Sequence, residues 1–493
     1  MNGIRRALLL ATAERYVILV VGFATLAIVS RILTPPEIGV SVVGMAVVMM
    51  ALAFREFASP NFIIQHKNLQ LEDVRATFTV LSLTTLAIST IIFALAGWLA
   101  VIYSEPRLEP FLRIVAISTL VEIIGVTIAA LLRREMAFGK LAFINVVGAA
   151  VYAGLTITLA ILGFSYMSFA WAFLASVLTT AFLSLALWPD RSIFRPCLRA
   201  WRGVVTFGGY SGTNVFLFKV FESLPYLVLG RILSFDAVAL YNRAWTVCQI
   251  PDRVILQGID SVLLPAFSSE VRGGRGLRNA YLHSVELITG VQWPALIVLA
   301  LLADPIVRFL LGEQWADSVP LVQIMAIAWL PVFTQKLNYP ILVAMGEMRD
   351  LLKRSLITWP VSAVIITCAA FFGLKAAVLS WLVLTPFWAY VSIYFVKRHV
   401  EIRWRDFAKP LQIATTLAIC SAAGPLAIMF LTGDGFELSY SATTLAALLS
   451  AMGWGIGLWA TGHPLLPEIK RAISAITSTA SLSKKVENVP NRI

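Results

Sequence analysis

The chain has 493 residues, of which 59% are hydrophobic and only 13% are charged. Soluble domains carry about 25% charged residues, so this composition excludes an ordinary soluble enzyme or binding module. The net charge of +12 would also suit a nucleic-acid-binding protein, but no nucleic-acid-binding motif accompanies the basic residues. We expect an all-α polytopic membrane protein with no nucleic-acid partner.

About fourteen apolar segments follow one another along the chain, and each approaches the roughly 20 residues that cross a bilayer as a helix. The loops between them are short, so no soluble domain is inserted. The segments are predicted over residues 8–30, 37–58, 76–103, 110–132, 141–162, 165–188, 206–230, 236–265, 282–311, 318–344, 352–373, 376–396, 410–431 and 440–461.

Lysine and arginine are concentrated in alternate loops, as at Arg133, Arg134 and the stretch 397–409, whereas the opposite loops hold little more than Arg107 and Lys375. Loops rich in lysine and arginine stay on the cytoplasmic side. This bias predicts an even number of spans with both termini in the cytoplasm.

The four cysteines and four histidines are scattered along the chain. They form neither a CxxC pair nor a metal-ligand spacing. We therefore expect no catalytic residue, no metal site and no cofactor.

The first apolar segment ends in the phrase RILTPPEIGV at residues 31–40. Arg31 suits the C-terminus of a helix, where a cation is favourable. Thr34 and Glu37 stand three positions apart, which is the spacing of a capping box at the start of the next helix. The phrase is therefore predicted to form a tight outer turn between two helices.

The phrase recurs 200 positions later as RILSFDAVAL at residues 231–240, after the seventh segment. Arg231 is kept, and Ser234 takes the place of the N-cap residue. A second repeat consists of PFLRIVAIS at 110–118 and PLVQIMAIA at 320–328. Two repeated stretches in the same order indicate an internal duplication.

Each copy holds six spans, so the two copies share one orientation and are expected to be related by an axis along the membrane normal. We predict two parallel six-helix halves, at 1–200 and 201–400, around a central cleft. Two additional transmembrane helices at 401–465 and a polar cytoplasmic tail at 466–493 follow.

Charged residues inside spans are costly and each needs a reason. Lys219 and Glu222 lie three positions apart on one face of the seventh segment. They form either an internal ion pair that offsets its own insertion cost or a cleft-lining pair that a substrate phosphate or a proton separates. Glu122 stands alone in the fourth segment and is expected to pair with an arginine from another span.

The eighth segment has a polar stripe at helical spacing. Such a stripe either holds helices together or lines the cleft. The stripe comprises Asn242, Gln249, Arg253, Gln257 and Asp260, with Arg243 and Asp252 beside it.

Two further cations complete the predicted cleft set. Arg55 ends the second segment, where it either anchors the helix at the interface or joins the cleft, and Lys336 lies in the inner half of the tenth segment. The candidate substrate-binding residues are Arg55, Lys219, Glu222, Asn242, Arg243, Gln249, Asp252, Arg253 and Lys336.

Several stretches resemble the polysaccharide transporter branch of the multidrug/oligosaccharidyl-lipid/polysaccharide exporter superfamily, the Wzx-type flippases of polysaccharide repeat units. They are SRILTPPEIGV at 30–40, FREFASPNFIIQHK at 54–67, VLGRILSFDAVALYNRAW at 228–245, LLPAF at 263–267 and LGEQWADSVPLVQIMAIA at 311–328. The resemblance covers nearly the whole chain up to about residue 400.

The resemblance implies a flippase of the bacterial inner (cytoplasmic) membrane. Such a protein moves an undecaprenyl-diphosphate-linked oligosaccharide between leaflets by alternating access, for exopolysaccharide or O-antigen export. The implied partners are this lipid-linked oligosaccharide, membrane lipids and the polysaccharide polymerase with its chain-length machinery. Arginine and lysine in a cleft suit the diphosphate oxygens.

Three alternatives stay open. A multidrug cation antiporter of the same superfamily would have a hydrophobic, acid-lined pocket, and a peptidoglycan-precursor flippase would share fold and mechanism. An integral-membrane polysaccharide polymerase or ligase would carry acidic, arginine or histidine residues in a sizeable external loop, which this sequence does not show.

Overall fold

A computed structural model describes residues 2–58, 60–66, 68–274, 276–433 and 435–468. The side chains of residues 2–9, 207, 210, 211, 214 and 257–261 are outside this description. The predicted stripe positions Gln257 and Asp260 therefore lie outside the described side chains. The predicted tail lies outside the described residues from 469 onward.

Every regular element in the described ranges is helical, which confirms the all-α prediction. The helices are α1 (Asn2–Ile32), α2 (Pro35–Leu52), α3 (Asn61–Gln65), α4 (Leu71–Ile102), α5 (Leu108–Arg134), α6 (Phe138–Ile161), α7 (Met167–Leu187), α8 (Trp201–Ile232), α9 (Phe235–Cys248), α10 (Gln257–Arg272), α11 (Leu277–Leu301), α12 (Ala303–Leu311), α13 (Val319–Ala328), α14 (Phe333–Met345), α15 (Met348–Ala370), α16 (Leu374–Leu379), α17 (Trp381–Lys397), α18 (Ala408–Thr432) and α19 (Tyr440–Thr461).

Among the described residues, eleven helical stretches are long and apolar enough to cross a membrane. A bent pair, Glu313–Ala328 and Leu330–Met345 with 44° between them, makes twelve if it counts as one span. The chain is thus an integral membrane protein, but the predicted count of fourteen is not confirmed.

The two predicted segments that are not counted are the seventh and the eighth, and both are interrupted by polar features. The seventh corresponds to α8, whose second half contains Lys219, Glu222 and Arg231. The eighth is broken, because α9 ends at Cys248 and a π-helical turn at Asp252–Leu256 precedes α10. The charged residues of the seventh segment and the helix break in the eighth therefore distinguish these two segments from those that are counted as apolar enough to cross a membrane.

The helices divide into two units. The first comprises residues 1–247, 307–321 and 352–380. In it α1 packs on α6, α6 and α5 pack on α7, and α2 packs on α8. Close approach depends on small residues, since a Cβ atom at Gly39 of α2 would lie 2.0 Å from the carbonyl oxygen of Phe235 at the start of α9. The two repeated phrases are thus in direct contact.

The second unit comprises residues 248–306, 322–351 and the chain from 381 onward. In it α18 packs on both α19 and α11. A Cβ atom at Gly453 of α19 would lie 2.1 Å from the carbonyl oxygen of Cys420 in α18. Small residues at helix interfaces allow this closeness in membranes. The predicted halves, with boundaries near 200 and 400, stay a prediction.

Both repeated turns have the predicted caps. The backbone N–H of Thr34 donates to Glu37 Oε2 at 2.7 Å. In the second copy the backbone N–H of Ala237 donates to Ser234 Oγ at 3.2 Å. Arg31 and Arg231 lie in the last turns of α1 and α8, as expected.

The carbonyl groups at the end of α1 have no partner within the helix and are satisfied from a distant segment. The indole N–H of Trp315 donates to the carbonyl oxygen of Ser30 at 2.7 Å. The side-chain amide of Gln314 donates to Ser30 and to Leu33. The LGEQW stretch and the first outer turn thus form one structure.

Candidate functional site

A cavity of about 470 Å³ lies inside the first unit, among α2, α6, α7, α8 and α9. Its volume falls within the range of about 300–1,000 Å³ that is typical of ligand pockets. Residues from both sides of position 200 line it, so both predicted halves contribute. They are Ile38, Ser41, Val42, Met45, Ala46, Met49, Tyr152, Phe169, Glu222, Ser223, Tyr226, Asn242 and Arg243.

Arg243 is the principal charged group of this cavity. Its side chain is on a buried face of α9, because Ala239 and Val247, one turn away on either side, are fully buried. The residue itself is only 7% exposed. Ser234 starts α9 and so fixes where along the cavity this arginine projects.

The guanidinium group of Arg243 is poorly paired. One terminal nitrogen lies 3.4 Å from Asn242 Oδ1, and the group stacks 5.3 Å from the ring centroid of Trp315. Nε is buried and has no hydrogen-bond partner among the described residues. Nor does any described carboxylate form an ion pair with this arginine.

A buried cation without a carboxylate partner is unfavourable in a membrane-embedded helix. An anion that enters the cavity would supply the missing partner and form charge-assisted hydrogen bonds. The geometry around Arg243 is therefore that of an anion-binding site.

Glu222 of α8 also lines the cavity, and this glutamate is exposed. Tyr226 lies one turn further along the same helix, and its ring meets that of Tyr241 at 5.7 Å in an edge-to-face arrangement. Tyr152 of α6 faces the cavity from the other side. The walls thus combine both charge signs with aromatic and hydroxyl groups.

The predicted pair of Lys219 with Glu222 stays a prediction. Lys219 Nζ lies 2.6 Å from Glu56 Oε1, in the 3-10 helix Ala53–Ala58 that follows α2. The neighbouring Arg55 pairs with Glu122 at 2.9 Å, so the expected partner of Glu122 is an arginine from another span, as predicted. These two ion pairs join the end of α2 to α8 and α5.

The remaining predicted cleft residues belong to the second unit. Lys336 Nζ lies 2.6 Å from Asp252 Oδ1, at the start of the π-helical turn. Two guanidinium nitrogens of Arg253 donate to Gln249 Oε1 at 3.0 and 3.2 Å, and this arginine is exposed. None of these four residues lines the cavity that contains Arg243.

Sequence reasoning missed Tyr152, Ser41 and Ser223 as cavity residues, because single tyrosines and serines are common in apolar helices. Within the described ranges, no cluster of three or more histidine, cysteine, aspartate or glutamate side chains is arranged to hold a metal ion.

Fold and cavity together define an integral membrane protein with a transporter fold. Several solved structures share it, among them the following two. The "Lipid II flippase MurJ, inward closed conformation" is 12% identical with a TM-score of 0.73, and the alignment covers 93% of this chain and 100% of MurJ. An inward-facing "multidrug resistance MATE family transporter of the MOP superfamily" is 13% identical with a TM-score of 0.61, over 77% of this chain and 93% of that one.

The family is also clear from sequence. The model of the family described as "Polysaccharide biosynthesis protein" matches residues 28–320, more than half of the chain, and the chain belongs to this family. A curated relative is the "Succinoglycan biosynthesis transport protein ExoT" of Rhizobium meliloti (strain 1021), 25% identical over 311 residues. The match covers 62% of this chain and 62% of ExoT, so less than two thirds of that relative is spanned. The predicted relation to polysaccharide proteins is thus confirmed at the level of this family.

Proposed function

We propose that this protein is a flippase for a lipid-diphosphate-linked oligosaccharide repeat unit, which it moves from the inner to the outer leaflet for polysaccharide export. The observation that carries the proposal is the buried Arg243, which no described carboxylate pairs, in a cavity of ligand size. The name of ExoT refers to succinoglycan transport and that of MurJ to a lipid II flippase, which supports this substrate class.

The diphosphate is the part of such a substrate that Arg243 would hold. A guanidinium group carries five N–H donors in a planar fork and can bind two phosphate oxygens at once. Nε and the terminal nitrogen that does not face Asn242 are available for this contact. The aromatic and hydroxyl groups of Tyr152, Tyr226 and Ser41 offer the adjoining sugar a half-polar wall.

Transport needs no bond to form or break, so the proposal is for a transporter and not an enzyme. The head group enters the cavity from the inner leaflet, and alternating access exposes it to the outer side. An inside-negative potential favours outward movement of anions by about 2.3 kcal/mol per charge per 100 mV. Two charges that crossed the full field would thus gain about 4–5 kcal/mol.

We further place the protein in the bacterial inner (cytoplasmic) membrane with both termini in the cytoplasm. The basic loops 188–202 and 397–409 support this orientation. On this reading the flipped repeat unit is released to a polysaccharide polymerase and its chain-length machinery.

A multidrug cation antiporter is the second candidate, and Glu222 is the observation that favours it. A carboxylate in a half-apolar cavity suits an organic cation. Arg243 in the same cavity weakens this alternative, because a buried unpaired cation would repel such a substrate.

A deletion strain tests both candidates. If the flippase proposal holds, the strain loses secreted or surface polysaccharide and accumulates complete lipid-linked repeat units in the inner leaflet. The intact gene and an Arg199→Gln variant, which changes an exposed loop arginine, restore export, whereas Arg243→Gln does not. Normal polysaccharide together with new sensitivity to cationic drugs would overturn the proposal in favour of the antiporter.

A further inference from the structure

A second cavity of about 260 Å³ lies beside the first, between α1, α6 and α9. Val21, Leu26 and Val29 of α1 form one wall, and Ala149 and Ala153 of α6 form another. Thr25 also lines it, but its hydroxyl group donates to the carbonyl oxygen of its own helix at 2.8 Å. The walls contributed by α1 and by the two alanines of α6 are therefore apolar in effect.

The two cavities meet at one cation. Tyr152, Phe169 and Arg243 line both of them. A space with polar and charged groups thus adjoins an apolar space, and the junction is the unpaired guanidinium group. This arrangement matches a ligand in which a phosphate lies between a polar group and a hydrocarbon chain.

The helix α1 separates this second cavity from the outer surface of the unit. Val20, on the other face of α1, is 64% exposed, as a side chain that faces lipid would be. Gly22 lines the cavity and is itself exposed, and a Cβ atom there would meet no heavy atom within 4 Å. The α1 wall therefore has no side chain at Gly22, and a side chain there would meet open space.

We infer that the second cavity binds the first carbons of the lipid carrier, those attached to the diphosphate, while Arg243 holds the diphosphate itself. This inference rests on the proposed function. The cavity has about the volume of nine water molecules at roughly 30 Å³ each, so it accommodates a short length of chain. The rest of the lipid stays in the bilayer beyond α1.

The test measures binding to the full-length purified protein of two probes, farnesyl diphosphate and inorganic diphosphate. Burial of each methylene group contributes about 0.8 kcal/mol, and a factor of ten in affinity corresponds to about 1.4 kcal/mol. The wild-type protein is expected to bind farnesyl diphosphate at least about tenfold more tightly than inorganic diphosphate.

Gly22→Leu fills the cavity from α1 without a clash and removes an exposed helix glycine. It is expected to abolish the tenfold preference and to leave the affinity for inorganic diphosphate unchanged. Ala149→Leu fills the same space from α6 and is expected to abolish the preference in the same way. With two independent variants, a folding defect in one of them does not leave the inference untested. Gly154→Leu is the matched control, because its Cβ atom also meets open space but lines neither cavity.

The outcomes separate this inference from the function on which it rests. If both filled variants keep the full preference for farnesyl diphosphate, the chain binds elsewhere and the inference is wrong, while the flippase proposal stands. If the wild-type protein binds neither probe, the proposed diphosphate site at Arg243 is wrong and the inference falls with it.

Discussion

Replacement of Arg243 by glutamine should affect stability and function in opposite directions. Most buried polar residues stabilise a fold through their partners, and their removal leaves those partners unsatisfied. Arg243 has one long hydrogen bond to Asn242 and a stacking contact with Trp315, and no described carboxylate pairs with it. Arg243→Gln therefore leaves no buried charge behind.

The expected effect on stability follows from two opposing contributions. A cation at the centre of a membrane helix costs about 2.5–3.5 kcal/mol, and a desolvated cation–π contact contributes about 2 kcal/mol. Their difference predicts that Arg243→Gln raises the free energy of unfolding by about 1 kcal/mol.

The effect on binding is larger and has the opposite sign. A hydrogen bond to a charged group contributes about 1.5–3 kcal/mol, and each 1.4 kcal/mol is a factor of ten in affinity. Affinity for a diphosphate should therefore fall about 10- to 150-fold. Arg243→Lys keeps the charge without the planar fork and should give an intermediate affinity.

Thermal unfolding in detergent and diphosphate titration of the same preparations check both expectations. Arg199→Gln is the control, since Arg199 is exposed and pairs with Glu72 far from the cavity. A variant that unfolds at a lower temperature and still binds diphosphate as tightly as the wild type would refute the reasoning, because Arg243 would then be a structural residue with a partner.

Other predictions concern the packing and the outer loop. Lys219→Gln leaves the carboxylate of Glu56 without its lysine and should lower the melting temperature. The double variant Lys219→Gln with Glu56→Gln should recover part of this loss, and a double variant whose loss is the sum of the two single losses would contradict a direct pair. Gly453→Val should destabilise the fold by about 1–3 kcal/mol, because the new side chain clashes with α18. The control Gly455→Val meets open space and should not destabilise it. Similar melting temperatures of the two variants would contradict the close packing of α18 and α19. The hydrogen bond from the side chain of Arg107 lowers the pKa of Glu105 in the folded protein. The contribution of Glu105 to stability is therefore complete above the pKa that it has in the unfolded chain, and it is lost as the pH falls through the lower pKa of the folded state. Melting curves between neutral and acidic pH should show a smaller acid-induced loss for Glu105→Gln, and identical losses would exclude this contribution.

Local features were predictable from the sequence. Apolar length located the helices, and the spacing of Thr34 with Glu37 and the position of Ser234 located two helix starts, because capping involves residues only three positions apart. The structure has both caps where the sequence places them.

Partners distant in sequence were not predictable. Lys219 was expected to pair with Glu222 because that carboxylate is its neighbour on the helix. The structure also gives Lys219 a partner in Glu56, which is 163 positions away, and the close approach of the 3-10 helix to α8 brings the two together. That approach requires Gly212, where a Cβ atom would lie 2.5 Å from the carbonyl oxygen of Glu56.

The break in the eighth segment was not predictable for a different reason. The spacing of the polar stripe assumed one continuous helix over the eighth segment, with 3.6 residues per turn. The chain instead leaves α9 at Cys248 and forms a π-helical turn at Asp252–Leu256, so the spacing of one continuous α-helix does not hold across this turn. Among the stripe positions with described side chains, Asn242 and the adjoining Arg243, before the break, line the cavity.

Reconstituted flipping tests the central claim most directly. Proteoliposomes that hold a lipid-diphosphate-linked oligosaccharide in one leaflet would be followed for exposure of the sugar on the other side. The account predicts fast exposure with the wild-type protein and with Arg199→Gln, and a rate close to that of empty liposomes with Arg243→Gln. Flipping by Arg243→Gln at the wild-type rate, or no flipping by the wild-type protein, would contradict it.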